Sequence, residues 1–147
     1  MVSPNPGLLA ALLKTGRLNG VLRWKVVLAD DAVSQECASA GWRSLIMDTH
    51  SAKSLNDLLH VSVSELDLPA DAHSSVATWE QAISSLIAQD TPVCITWVGW
   101  QDIVASSPAD ATVLVDVFED ILRDHPGLVL IAGHQGKFPG VDELALA

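Results

Sequence analysis

Two short runs, Val93–Val98 and Leu128–Ala132, are apolar at almost every position. A strand with one wet face alternates apolar and polar residues, so a run without alternation predicts a strand buried on both faces. Such strands need helices above and below the sheet, which is the arrangement of parallel α/β folds. The rest of the chain supplies the helices. Ser54, with Asp57 three residues on, is a capping-box pattern that opens a helix with Leu55, Leu58 and Leu59 inward and a stop before Pro69. Ser74 or Ser75 caps a helix whose stripe is Val76, Trp79, Ala82, Ile83, Leu86 and Ile87. Ser107-Pro108-Ala109-Asp110 combines an N-cap, an N1 proline and an acid at N3, ahead of a stripe of Val113, Leu114, Val117, Phe118, Ile121 and Leu122.

Upstream, Trp42–Met47 reads as a further strand, and Val21–Leu28 as one that either joins the sheet edge or lies apart. Asp30 or Asp31 caps a short helix running through Cys37 and ending before Gly41. A loose arm with Pro4, Pro6 and Gly7 leads into a short helix over Leu8–Lys14, broken from Gly16 to Gly20. From Trp42 the order is strand, helix, helix, strand, helix, strand. The expected fold is α/β, a small three-stranded parallel sheet packed with helices, with an N-terminal extension. Residues 1–20 form the arm, 21–133 the domain with its N-terminal strand segment, and 134–147 a mobile tail.

Charge narrows the function classes. The 147 residues carry a net charge of −10, and 49% of them are apolar, enough for a core without staples. Between Ser54 and His125 stand twelve acids and one base, Arg123. This bias disfavours nucleic acid as a direct ligand and suits a partner with a basic groove. The net charge also favours a monomer. Cys37 and Cys94 are the only cysteines. A disulfide is possible by count, but two buried free thiols in a cytoplasmic protein are expected. Gly7–Leu13 has no basic segment before it, and no run approaches the length of a membrane span. No membrane association is expected.

Motifs for catalysis are missing. The chain has no Gly-x-Ser-x-Gly elbow and no cysteine with a histidine partner that stands out. Gly133-His134-Gln135-Gly136-Lys137 has the wrong spacing for a phosphate loop and no Ser or Thr after the lysine. His50, His60, His73, His125 and His134 show no metal-binding spacing. A non-enzymatic protein without cofactor or metal is expected. On the last helix Asp116, Glu119, Asp120 and Arg123 lie opposite the apolar stripe, either as a plain solvated face or as an anionic strip for a cationic partner. Trp79 belongs to an apolar stripe, and Glu80 stands one step around from it. Together they are either core plus solubilising charge or a desolvated anchor for a basic pocket, extended by Asp71 and His73. Trp97 and Trp100 are expected to close the core.

The stretch from Gly20 to Gly133 resembles the barstar family of intracellular inhibitors of barnase-like ribonucleases. The resemblance rests on Gly20-Val21-Leu22-Arg23-Trp24, Ala40-Gly41-Trp42-Arg43, the Leu66-Asp67-Leu68-Pro69 step and Thr78-Trp79-Glu80-Gln81-Ala82 with Leu86. It implies a ribonuclease inhibitor or immunity protein whose acids stand in for RNA phosphates. By that resemblance Glu80 replaces the signature Asp, Ser84 falls where a second acid stands, and Asp116 or Asp120, with Asp120 favoured, supplies the third. The implied partner surface is Asp71, His73, Trp79, Glu80, Ser84, Asp116 and Asp120. The implied partner is a basic secreted ribonuclease or related toxin. The alternative is a barstar-fold binding module whose partner is not a barnase-like ribonuclease.

Overall fold

A computed structural model describes residues 13–14, 20–24, 30–132, 138 and 141, with the side chains of 24 and 30–32 left aside. Its elements follow in order. They are β1 (Gly20–Trp24), α1 (Asp30–Ser39), β2 (Arg43–Asp48), α2 (Leu55–Glu65), a 3-10 turn (Ala72–Ser74), α3 (Val76–Ile87), β3 (Val93–Val98), α4 (Gln101–Ser106), α5 (Pro108–Asp124) and β4 (Gly127–Ala132).

All strand pairs are parallel, in the order β1-β4-β3-β2. Because side chains alternate across a strand, neighbours in register share a face. Val21, Met47, Val93, Ile95, Trp97, Val129 and Ile131 face the large core under α2, α3 and α5. Cys94, Leu128 and Leu130 face the other way, into a smaller cluster with Val33 and Cys37 of α1 and with Leu13. The β3 and β4 runs are apolar throughout because both faces are covered. Each fully buried Leu, Ile or Val there contributes about 1.5–3 kcal/mol.

The large core is keyed by one tryptophan. Trp79 of α3 is fully buried. Its Nε1 donates to Ser62 Oγ of α2 at 2.7 Å, and Ser62 Oγ donates on to Leu59 O at 3.0 Å. Its ring meets Phe118 of α5 edge-on, with centroids 5.4 Å apart. The indole thus ties three helices together with its one polar atom satisfied.

Several expectations need correction. The sheet has four strands rather than three, because Gly20–Trp24 pairs with β4 from Gly20↔Leu128 to Trp24↔Ala132. Strand pairing is non-local, so the sequence around β1 carried no sign of its neighbour. The α4 turn was not foreseen. Its N-cap, Trp100, already has helical backbone, and the helix is too short to show a periodic stripe. Ser75 caps α3 and Ser54 caps α2 through their hydroxyls, as expected. Ser107 makes no side-chain cap bond. Asp110, three residues on, accepts the Leu55 N–H at 2.9 Å instead and so joins the start of α5 to the start of α2.

The expected loose tail holds at least one core residue: Phe138 is 6% exposed and packs on Trp97 and Trp100. The short helix expected at Leu8–Lys14 falls within the described residues only at Leu13 and Lys14. The Gly133–Lys137 stretch falls outside them. Among the described residues no helix is long and apolar enough to cross a membrane.

Candidate functional site

In an open parallel sheet, ligands bind at the carboxyl ends of the strands, where loops and helix starts converge. Here those ends are Trp24, Asp48, Val98 and Ala132. The β2–β3 half of this edge is a tight carboxylate-held turn. Asp48 Oδ1 accepts the His50 N–H at 3.0 Å and lies 3.0 Å from His50 Nδ1. The Asp48 N–H donates to Glu65 Oε1 at 3.0 Å, and the Ser51 N–H donates to Asp102 Oδ2 at 2.6 Å. Thr49 Oγ1 receives the indole N–H of Trp97 at 2.8 Å. Gly99 passes so close that a Cβ there would strike Asp48 Oδ1 and the His50 backbone, and its φ of +69° is the left-handed region. The three carboxylates are each occupied by a backbone donor. No group of His, Cys, Asp or Glu among the described residues is arranged to hold a metal.

The β1–β4 half is filled by the protein itself. Arg23, 2% exposed, lies over the Trp100 ring at 4.6 Å from the centroid and donates to Ile131 O at 3.2 Å. Trp100 Nε1 donates to Ala132 O at 2.9 Å. Phe138 closes over Trp97 and Trp100, with ring centroids 5.3 and 5.5 Å away. Cation, two indoles and a phenyl ring stack where a ligand of this architecture would enter.

An open concavity lies elsewhere. Between α3 and α5 runs a groove of about 530 Å³, lined by Glu80, Gln81 and Ser84 on one side and Asp120, Asp124 and His125 on the other. Arg123 stands on its rim in an exposed ion pair with Asp120, at 3.1 Å. A smaller hollow of about 240 Å³ lies across Gln81, beside Asp71, Thr78 and Ser85. Of the seven residues singled out from sequence, Glu80, Ser84 and Asp120 converge on the large groove. Asp71 lines the small one, and Asp116 is exposed on α5 outside the groove lining. His73 stacks on His60 with centroids 4.0 Å apart and places Nδ1 2.8 Å from Ala70 O. Trp79 faces the core and cannot anchor a partner. Asp124 and His125 were missed, since they lie past the last stripe residue, where a helix end gives no facial signal.

No protein-family model matches the chain, and no curated protein matches it. Solved structures do. The Aeropyrum pernix ORC2 protein, solved in ADPNP–ADP complexes, matches at 18% identity with a TM-score of 0.58, over 90% of this chain and 43% of that one. The chain thus spans less than half the length of that protein, and the likeness is one of fold. Drosophila ORC bound to AT-rich DNA and Cdc6 also matches, at 14% identity over 88% of this chain and 44% of that one. Its TM-score of 0.46 is too low to establish a shared fold.

These findings overturn the barstar resemblance. The solved structure alike in fold is the Aeropyrum ORC2 protein and not a barstar, and neither a family model nor a curated relative supports an inhibitor. Short motifs such as Thr78-Trp79-Glu80 are what any amphipathic helix with a buried indole contains, so they carried the resemblance without the ancestry. With it fall the ribonuclease-inhibitor and immunity readings and the secreted ribonuclease or toxin partner. The exclusion of nucleic acid expected beside that partner falls too.

Proposed function

We propose that this chain is a non-enzymatic binding module, built on a fold like part of the Aeropyrum ORC2 protein, that docks a cationic protein segment in the α3–α5 groove. The observation that carries this reading is the filled carboxyl edge, where Arg23, Trp97, Trp100 and Phe138 occupy the usual ligand position. The sequence agrees. β1 is followed by Lys25-Val26-Val27-Leu28-Ala29, without glycine, and no Gly-x-x-x-x-Gly-Lys-Ser/Thr motif occurs in the chain. A backbone cradle for phosphates needs glycines at that turn. Among the described residues the α3–α5 groove is open for binding, and there Glu80, Asp120 and Asp124 present carboxylates around Ser84 and Gln81. Opposite charge across such a rim steers encounter and makes association salt-sensitive.

The test is affinity purification of the tagged chain from its native cells, followed by rebinding of the captured protein to purified variants. Glu80→Lys and Asp120→Lys should each weaken rebinding at least tenfold, and Glu119→Lys, outside the groove, should leave it within twofold. Equal losses for all three would place the contact elsewhere.

A further inference from the structure

The α1 face of the sheet holds a pair of thiols that the binding reading does not use. Cys37 lies on α1 one turn after Val33, and Cys94 is the second residue of β3. Both are free and fully buried, in one cluster with Leu13, Val33, Leu128 and Leu130. The two thiols share that cluster and lie close enough to act on one another, with the Ser44 hydroxyl beside Cys37. Ser44 and Cys94 are register neighbours across β2 and β3, and Ser44 Oγ reaches Ser34 Oγ of α1 at 3.2 Å. The sulfurs therefore meet at the seam between one helix and the sheet.

We propose that Cys37 and Cys94 form a redox modification site at which hydrogen peroxide closes an intramolecular disulfide, tying α1 to β3. The chemistry balances with the peroxide as the oxidant. The Cys37 thiolate attacks the O–O bond, an S–O bond forms, and the departing hydroxide leaves as water with the proton that Cys37 gave up. Cys94 sulfur then attacks the sulfenic sulfur. The S–O bond breaks as the S–S bond forms, and the second hydroxide leaves as water with the Cys94 proton. Two thiols lose two electrons, and one peroxide becomes two waters.

The pair is asymmetric in the way this order requires. Contact with the Cys94 thiol, aided by Ser44, lowers the Cys37 thiol below its ordinary value against the opposing effect of burial. The same contact and burial raise Cys94 well above its own. The lower member is the better first nucleophile, and the higher one resolves. Since both are sealed from solvent, peroxide reaches them only when α1 lifts from the sheet. Local opening therefore gates the reaction, and the disulfide, once formed, prevents that opening.

The reduced full-length chain is treated with hydrogen peroxide, quenched, unfolded, alkylated with N-ethylmaleimide and mapped by mass spectrometry without reduction. The expected result is a peptide pair linked through Cys37 and Cys94 in a chain still monomeric on a non-reducing gel, reversed by dithiothreitol. Val33→Ala, which loosens α1, should speed its formation several-fold. Cys94→Ser should stop at a sulfenic acid on Cys37 that dimedone traps. Full alkylation of both thiols after peroxide has oxidised free glutathione in the same tube would overturn the proposal. So would cross-linking between chains, or a sulfinic acid on Cys37 of the native chain. The native chain decides the matter alone if a variant does not fold.

Discussion

The Arg23 guanidinium lies over the Trp100 indole, 4.6 Å from the ring centroid, with both side chains closed to solvent. A buried cation is costly unless its donors and its face are satisfied. Here Ile131 O receives one N–H, and the indole offers its negative face. This contact joins β1, the strand furthest from β2, to the loop that ends β3. It also occupies the carboxyl edge, so the feature that completes the sheet is the one that removes its usual ligand position.

Trp100→Ala should therefore destabilise the fold by about 3–5 kcal/mol, as large aromatic truncations in a core do. Trp100→Phe keeps a ring under Arg23 but orphans the Ala132 carbonyl, and should cost about 1–3 kcal/mol. Urea denaturation followed by tryptophan fluorescence measures both. Equal stability of the alanine variant would mean the stack is incidental.

Gly99→Ala tests the tight turn at the other half of the edge. The left-handed backbone and the collision with Asp48 and His50 act together, and strain of this kind costs about 1–3 kcal/mol. The midpoint of chemical unfolding should fall accordingly, while far-ultraviolet circular dichroism stays that of an α/β protein.

Asp110 and Ser107 make a paired prediction at the start of α5. Asp110→Ala removes the acceptor of the Leu55 N–H and should cost about 1–2 kcal/mol, the size of a lost cap. Ser107→Ala should cost much less, because its hydroxyl makes no cap bond. The reverse ranking in denaturant titrations would show that the ordinary capping pattern operates after all.

Arg123→Ala separates stability from binding. The Arg123–Asp120 pair is exposed on both sides, so its removal should change stability by less than about 1 kcal/mol. It also strips the lone base from the groove rim, so association with a cationic partner should become faster and more steeply salt-dependent. Stopped-flow association at two salt concentrations reads this directly.

What the sequence disclosed follows the range of the interactions involved. β3 and β4 were legible because burial on both faces removes alternation, and α2 and α3 because Ser54 and Ser75 cap them locally. A strand near Val21 was legible from its β-forming residues, but its pairing with β4 and the Arg23–Trp100 contact depend on residues more than seventy positions apart, which no local pattern records. Glu80, Ser84 and Asp120 could be picked as outward helical positions. That α3 and α5 set them around one groove is a matter of helix packing. Trp79 shows the converse: an indole beside an acid reads equally as anchor or as core, and only its bond to Ser62 decides for core.

The most direct test of the account is calorimetric titration of the purified chain with ADP and with ADPNP, each with magnesium. A carboxyl edge filled by Arg23, Trp97, Trp100 and Phe138 predicts no saturable heat with either nucleotide and no ATP turnover. Saturable binding that Arg23→Ala or Trp100→Ala abolishes, in variants shown to be folded, would contradict the account and make that edge a nucleotide site.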